Sequence, residues 1–166
     1  MVVSRLRPPP SNPILFRIPS RSPTPRTLAP SHLRTFAPTL LLLYLAAGGV
    51  AGTLARYGLG RWIPTWAGAD FPWHTLAINL AGSFILGFSV RAAETLPLSP
   101  EVRGMVTIGF CGAFTTFSTF SLETVALLQA GQWARGAAYA LGSVAAGLLA
   151  VLAGMAAAGA AFRPRM

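Results

Sequence analysis

The chain has no lysine, and only four acidic residues among 166: Asp70, Glu94, Glu101 and Glu123. Charged residues make up 10% of it, where a soluble domain carries about 25%. There is one cysteine, Cys111, so an intrachain disulfide is excluded and a thiolate metal site cannot be built from it alone. A buried structural thiol is its reading. The two histidines, His32 and His74, lie far apart. The chain offers no Ser-His-Asp set, no paired carboxylates and no phosphate-binding loop. An enzyme is therefore not expected.

What remains is apolar. Hydrophobic residues are 53% of the chain and mean hydropathy is +0.56, values that point to a membrane protein. All thirteen basic residues are arginine, and the pI is near 11.7. Such a balance can signal nucleic acid, but the placement argues otherwise. Six of the arginines fall in the first 34 residues and the others stand at the ends of apolar runs, where bilayer anchors sit.

Cutting the chain at its charges leaves 21 uncharged residues over 35–55, 20 over 71–90, 19 over 104–122 and 27 over 136–162. A helix needs about 20 apolar residues to cross a bilayer. The reading is an all-α membrane protein with four transmembrane helices, near 38–60, 72–93, 101–129 and 132–160. Local signals agree. Asp70 ahead of Pro72 suits a helix start, "LPLSPE" breaks the chain before the third span, Ser99 with Pro100 can open that span, and Gly131 separates the last two. Residues 1–38 are rich in Pro, Ser and Arg and carry no acid. They are expected to be a disordered tail, dispensable or the product of a mis-called start, ahead of a four-helix membrane domain over 39–162.

Small residues four apart (Gly48 and Gly52, Ser83 and Gly87, Ser143 and Gly147) suit close helix packing in lipid. Four such helices enclose little interior, so a two-fold homodimer is expected. Without the tail, arginines on the two faces number four against three, too even for the positive-inside rule to orient the chain. Counting the tail turns that balance to ten against three.

Polar groups inside a span are costly and usually functional. Asn79 could join two helices or donate to a passing ligand. Arg56 could be an interfacial anchor or draw an anion into a vestibule. The segment "GFCGAFTTFSTFSLE" (109–123) holds two glycines, five hydroxyl side chains and four phenylalanines, so a continuous third helix is not expected there. Irregular backbone at membrane depth is tolerated where protein or a polar cavity covers it, and a break frees carbonyls for a cation and amides for an anion. Phe117 and Phe120 share a helix face; they are either core aromatics or ring edges that could touch a small anion.

"GGVAGTLARY", "FPWHTLAINLAGSFILGF" and "GFCGAFTTFSTFSLE", in that order on four spans, resemble the CrcB/Fluc family of fluoride channels over about residues 40–160. The resemblance implies a passive fluoride channel in the cell membrane that relieves fluoride toxicity, built as a dual-topology antiparallel homodimer with two pores. It implies that Phe117 and Phe120 line the pores with Asn79, Ser118 and Thr119. It also implies that Tyr139 and Ser143 supply hydroxyls, that Arg56 stands in the vestibule, and that Glu123 is a polar group beside the path. Backbone carbonyls at Gly112 and Thr115 would hold a central structural sodium ion, Na+. Ala113 stands where many members have a second glycine, and Gly147 lacks a hydroxyl expected on the fourth helix. The rival readings are a small multidrug-type dual-topology exporter, which needs a carboxylate in the first span that 35–55 lacks, and a non-conducting membrane assembly subunit.

Overall fold

The computed structural model describes residues 31–63 and 70–162, with side chains described from Thr39 onward. Most of the 1–38 tail assignment, together with Arg163 and Arg165 of the orientation count, lies outside the described residues. Among the described residues there is no strand, and four helical stretches are long and apolar enough to cross a membrane: Thr39–Trp62, Trp73–Ala92, Pro100–Gln129 and Trp133–Ala161. They are called here the first to fourth spans. The first helix itself begins at Ser31, inside the stretch assigned to the tail. Between Pro30 and Pro38 the chain has no proline or glycine, so helical propensity is uninterrupted over two turns.

Local chemistry sets most boundaries. Ser99 accepts a hydrogen bond from the Val102 amide at 3.3 Å with Pro100 in the first turn, the usual opening of a helix. At the end of the third span, Gly131 has φ of 72°. Its amide donates to the Leu128 carbonyl at 3.0 Å, and the Gln132 amide donates to Leu127 at 2.9 Å. That pair of bonds with a left-handed glycine is a Schellman stop, and it turns the chain straight into the fourth span. Asp70 does not act as expected: the second span starts at Trp73 behind Pro72 with no side-chain cap. The Trp73 amide instead donates to the Phe71 carbonyl at 2.7 Å.

The spans pack as two close crossings. The first lies against the upstream half of the third. A Cβ on Gly48 would meet the Met105 carbonyl, one on Gly52 would strike the Phe110 carbonyl, and one on Gly109 would sit 2.6 Å from the Leu45 carbonyl. The second span crosses the fourth where Gly87 meets the Val151 backbone and Gly154 meets Phe84 and Phe88. Backbones this near exclude any side chain, which is how helices gain contact without a hydrophobic driving force. Much of the remaining apolar surface is bare, including Leu42, Leu54, Leu122, Leu141 and Leu148. A bilayer or a second copy must cover it.

Candidate functional site: a break in the third span

The third span changes geometry four times. Pro100–Gly104 is α-helical, Met105–Phe110 is a π-helical turn, and Cys111–Phe114 returns to α. Thr115 (φ −81°, ψ 158°) and Thr116 (φ −146°, ψ 109°) are then extended, and a new helix runs over Phe117–Gln129. The expected break is therefore present, and of the two positions that the resemblance implies for it, Thr115 is unwound. Gly112 is helical, and Gly109 serves the crossing with the first span.

Three side chains hold the extended pair. The Thr115 amide and Oγ1 both donate to the Cys111 carbonyl, at 3.0 and 2.9 Å, which closes the upstream helix. Thr116 Oγ1 accepts from the Thr119 amide at 3.2 Å and donates to Thr119 Oγ1 at 2.9 Å, with Ser118 Oγ 3.2 Å away. It is the N-cap of the downstream helix. Asn79, on the second span, pairs with the Thr116 peptide as a neighbouring strand would. Its Oδ1 accepts the Thr116 amide at 2.8 Å and its Nδ2 donates to the Thr116 carbonyl at 3.2 Å. The Thr116 amide thus goes to Asn79 instead of the Gly112 carbonyl, its α-helical partner four residues back. Gly82, one turn beyond Asn79, leaves room for Thr115: a Cβ there would overlap Thr115 Cγ2 and lie 3.2 Å from the Phe114 ring.

A cavity of about 300 Å³ opens beside the break, lined by Asn79, Gly82, Ser83, Leu86, Thr107, Cys111, Gly112, Thr115 and Phe117. Phe117 is 78% exposed. Its ring centroid lies 5.7 Å from that of Phe120, tilted by 44°, so the two do share a face. Phe120 in turn packs 5.2 Å from Tyr139. Arg56 is half-buried and reaches toward the Thr115 carbonyl, with Nη1 at 3.5 Å.

A second polar cluster lies one to two turns downstream. Glu123 accepts from Thr75 Oγ1 at 2.8 Å on Oε1 and from Tyr139 Oη at 2.7 Å on Oε2. His74 Nε2 is 3.3 Å from Oε1. Thr75 and Tyr139 are each only 1% exposed, so this carboxylate is fixed by groups that have no water to turn to instead. Ser143 Oγ, on the fourth span, is buried with no hydrogen-bond partner among the described residues.

The structure thus brings Asn79, Arg56, Ser118 and Thr119 to the break, with Phe117, Gly112 and Thr115 on its cavity. It gathers Glu123 and Tyr139 into a separate cluster that Phe120 adjoins, and it leaves Ser143 bonded to neither. Sequence reasoning passed over Thr75 and Gly82, and took Thr116 only as one of the segment's hydroxyls. Thr116 carried a findable signal, a threonine at the head of a helical segment. Thr75 stands one turn before Asn79 and so shares its face. Among the described residues, no group of three or more His, Cys, Asp or Glu side chains could hold a metal ion. Any cation at the break would rest on neutral oxygens, carbonyl, amide or hydroxyl.

Comparison with known proteins identifies a family. Residues 43–155 match the family described as CrcB-like protein, Camphor Resistance (CrcB). The fluoride-specific ion channel FluC of Hahella chejuensis is 51% identical over 116 residues, covering 69% of this chain and 91% of that protein. The protein of the same name from one strain of Thermus thermophilus is 46% identical over 112 residues, covering 68% and 88%. That of Rhizobium meliloti is 44% identical over 116, covering 69% and 93%. The matched stretch reaches all four spans and includes the break in the third, and the chain belongs to the CrcB family.

Proposed function

We propose that this chain is a passive, fluoride-selective ion channel that lets the cytoplasmic anion leave down its electrochemical gradient. It works as an antiparallel homodimer with two pores. The observation that carries the reading is the extended Thr115–Thr116 pair at mid-span, bonded by Asn79 and followed at once by Phe117 and Phe120. The family match and the names of the relatives support the same ion.

Fluoride is small and strongly hydrated. A dry path must replace that water with donors strong enough for the ion to come in and weak enough for it to leave. Ser118 and Thr119 offer hydroxyls, and the Phe117 and Phe120 ring edges carry partial positive charge without an ammonium's trap. Asn79 commits one N–H to Thr116 and keeps a second. The first amides of the Phe117–Gln129 helix have no intrahelical acceptor and stand at its positive end. Tyr139 and Ser143 extend the donors along the fourth span; the partnerless Ser143 Oγ favours a role toward a ligand or a second copy. Arg56 would raise the local anion concentration in a vestibule. Glu123 lies beside the path, its charge held by Thr75 and Tyr139.

A structural Na+ fits the Gly112 carbonyl, which the Thr116 amide has abandoned, and in part the Thr115 carbonyl, whose contact with Arg56 is long. Hard cations take several oxygen ligands, so two carbonyls need a second copy's pair to complete the set. When bound, the ion would tie the two break regions together. The bare apolar faces and the exposed Gly112 and Phe117 are consistent with such a partner.

Phe117→Ile tests the reading. The ring packs little within its own copy and isoleucine keeps the position apolar, so the variant should fold like the parent, with its dimer checked alongside by size exclusion. Its fluoride efflux from vesicles should fall clearly. Unchanged efflux would remove Phe117 from the path.

A further inference from the structure

His74 belongs to no part of the path described above, yet it touches Glu123. Its Nε2 lies 3.3 Å from Oε1, the oxygen that also accepts from Thr75 at 2.8 Å. The Tyr139 hydroxyl holds the other oxygen at 2.7 Å. Two hydroxyl donors are neutral and fixed; the imidazole is the one partner of Glu123 that can change charge. Exposure makes that change possible. His74 stands in the first turn of the second span, four residues after the exposed Asp70, and its side chain is 33% exposed against 19% for Glu123. The pair thus lies toward the end of the span, where protons have access, while Tyr139 and Thr75 are sealed beneath it.

We infer that His74 is a positioning residue for anion passage, setting the charge that Glu123 presents to the path and making fluoride flux acid-favoured. This rests on the fluoride-channel reading. The other charged or titratable groups on the surrounding elements are engaged elsewhere. On the first span, Arg56 turns to the Thr115 carbonyl and Arg61 to Tyr57, and Gly60 is what faces the imidazole. On the fourth span, Arg135 bonds Gln132. Asp70 is exposed ahead of the second span. Protonated, His74 offsets the Glu123 carboxylate, and an anion passing nearby meets a neutral pair. Deprotonated, it leaves a net negative charge beside the path, and like charge in a partly dehydrated site repels. Imidazole changes charge between about pH 5 and 8, so the sign is definite: flux falls as pH rises.

The test is fluoride efflux from vesicles carrying the full chain, at about pH 5.5 and about pH 8, with protein-free vesicles subtracting HF leak at each pH. The parent is expected to conduct faster at the acid pH by about threefold or more, the size of effect one nearby charge exerts at a partly hydrated site. His74→Gln, neutral at both, should be flat at the alkaline level. His74→Arg, cationic at both, should be flat at the acid level, and either variant decides if the other fails to fold. A flat parent profile, or a parent-like profile in the variants, overturns the inference while leaving the channel reading standing. Absence of protein-dependent fluoride efflux at both pH values removes the channel reading and this inference with it.

Discussion

Asn79→Ala takes both partners from the Thr116 peptide at once. The bonds are 2.8 and 3.2 Å long and Thr116 is 7% exposed, so water has little access to replace them. A buried backbone group left unsatisfied costs about 1–3 kcal/mol. Measured interhelical bonds inside membranes are smaller, averaging about 0.6 and reaching about 1.7 kcal/mol, because the unfolded chain finds other partners in the bilayer. Thr116 has no such freedom while its neighbours stay helical, so the upper membrane value applies to each bond. Two such bonds sum to about 3.4 kcal/mol, or on the order of a 300-fold shift in an unfolding equilibrium. The assay is unfolding of the purified protein in mixed micelles, paired with fluoride efflux from vesicles. Asn79→Asp separates the two bonds: it keeps the acceptor for the Thr116 amide but turns an oxygen toward the Thr116 carbonyl, so it too should be destabilised. If Asn79→Ala unfolds like the parent and conducts like it, the claim that this amide holds the break open is refuted.

The crossing of the first and third spans gives a contrasting pair. Gly52→Val drives a side chain into the Phe110 carbonyl and the Phe114 amide and should cost at least about 1–3 kcal/mol. Gly49→Ala, with nothing within 4 Å of the new Cβ, should be neutral or stabilise by up to about 1 kcal/mol; melting in detergent distinguishes them. Replacing Na+ by a larger cation throughout purification should weaken the dimer or its flux, seen by size-exclusion and efflux together. Indifference in both would remove the sodium site.

The four spans are legible because each holds an uncharged run of about 20 residues or more, and their ends because caps act locally. Ser99 with Pro100, and Gly131, need no tertiary information. The place of the break is not legible in the same way. Its glycine-rich flank draws attention to Gly109 and Gly112, but Gly109 serves a backbone crossing. The unwound pair is Thr115–Thr116, because the group that makes unwinding possible is Asn79, 37 positions away. By sequence Asn79 is either a joining or a donating amide, and the structure shows the joining bonds. His74 looks solitary in the sequence because its partner, Glu123, is far along the chain and meets it through folding alone. The clustering of Tyr139 with Glu123 is hidden for the same reason.

The most direct trial of the central claim is ion flux from vesicles reconstituted with the purified chain. Fluoride and chloride would be followed in the same preparation under the same driving potential. Rapid protein-dependent loss of fluoride with chloride retained is the expected result. Equal release of both halides, or retention of both, would contradict a fluoride path at the Thr115–Thr116 break.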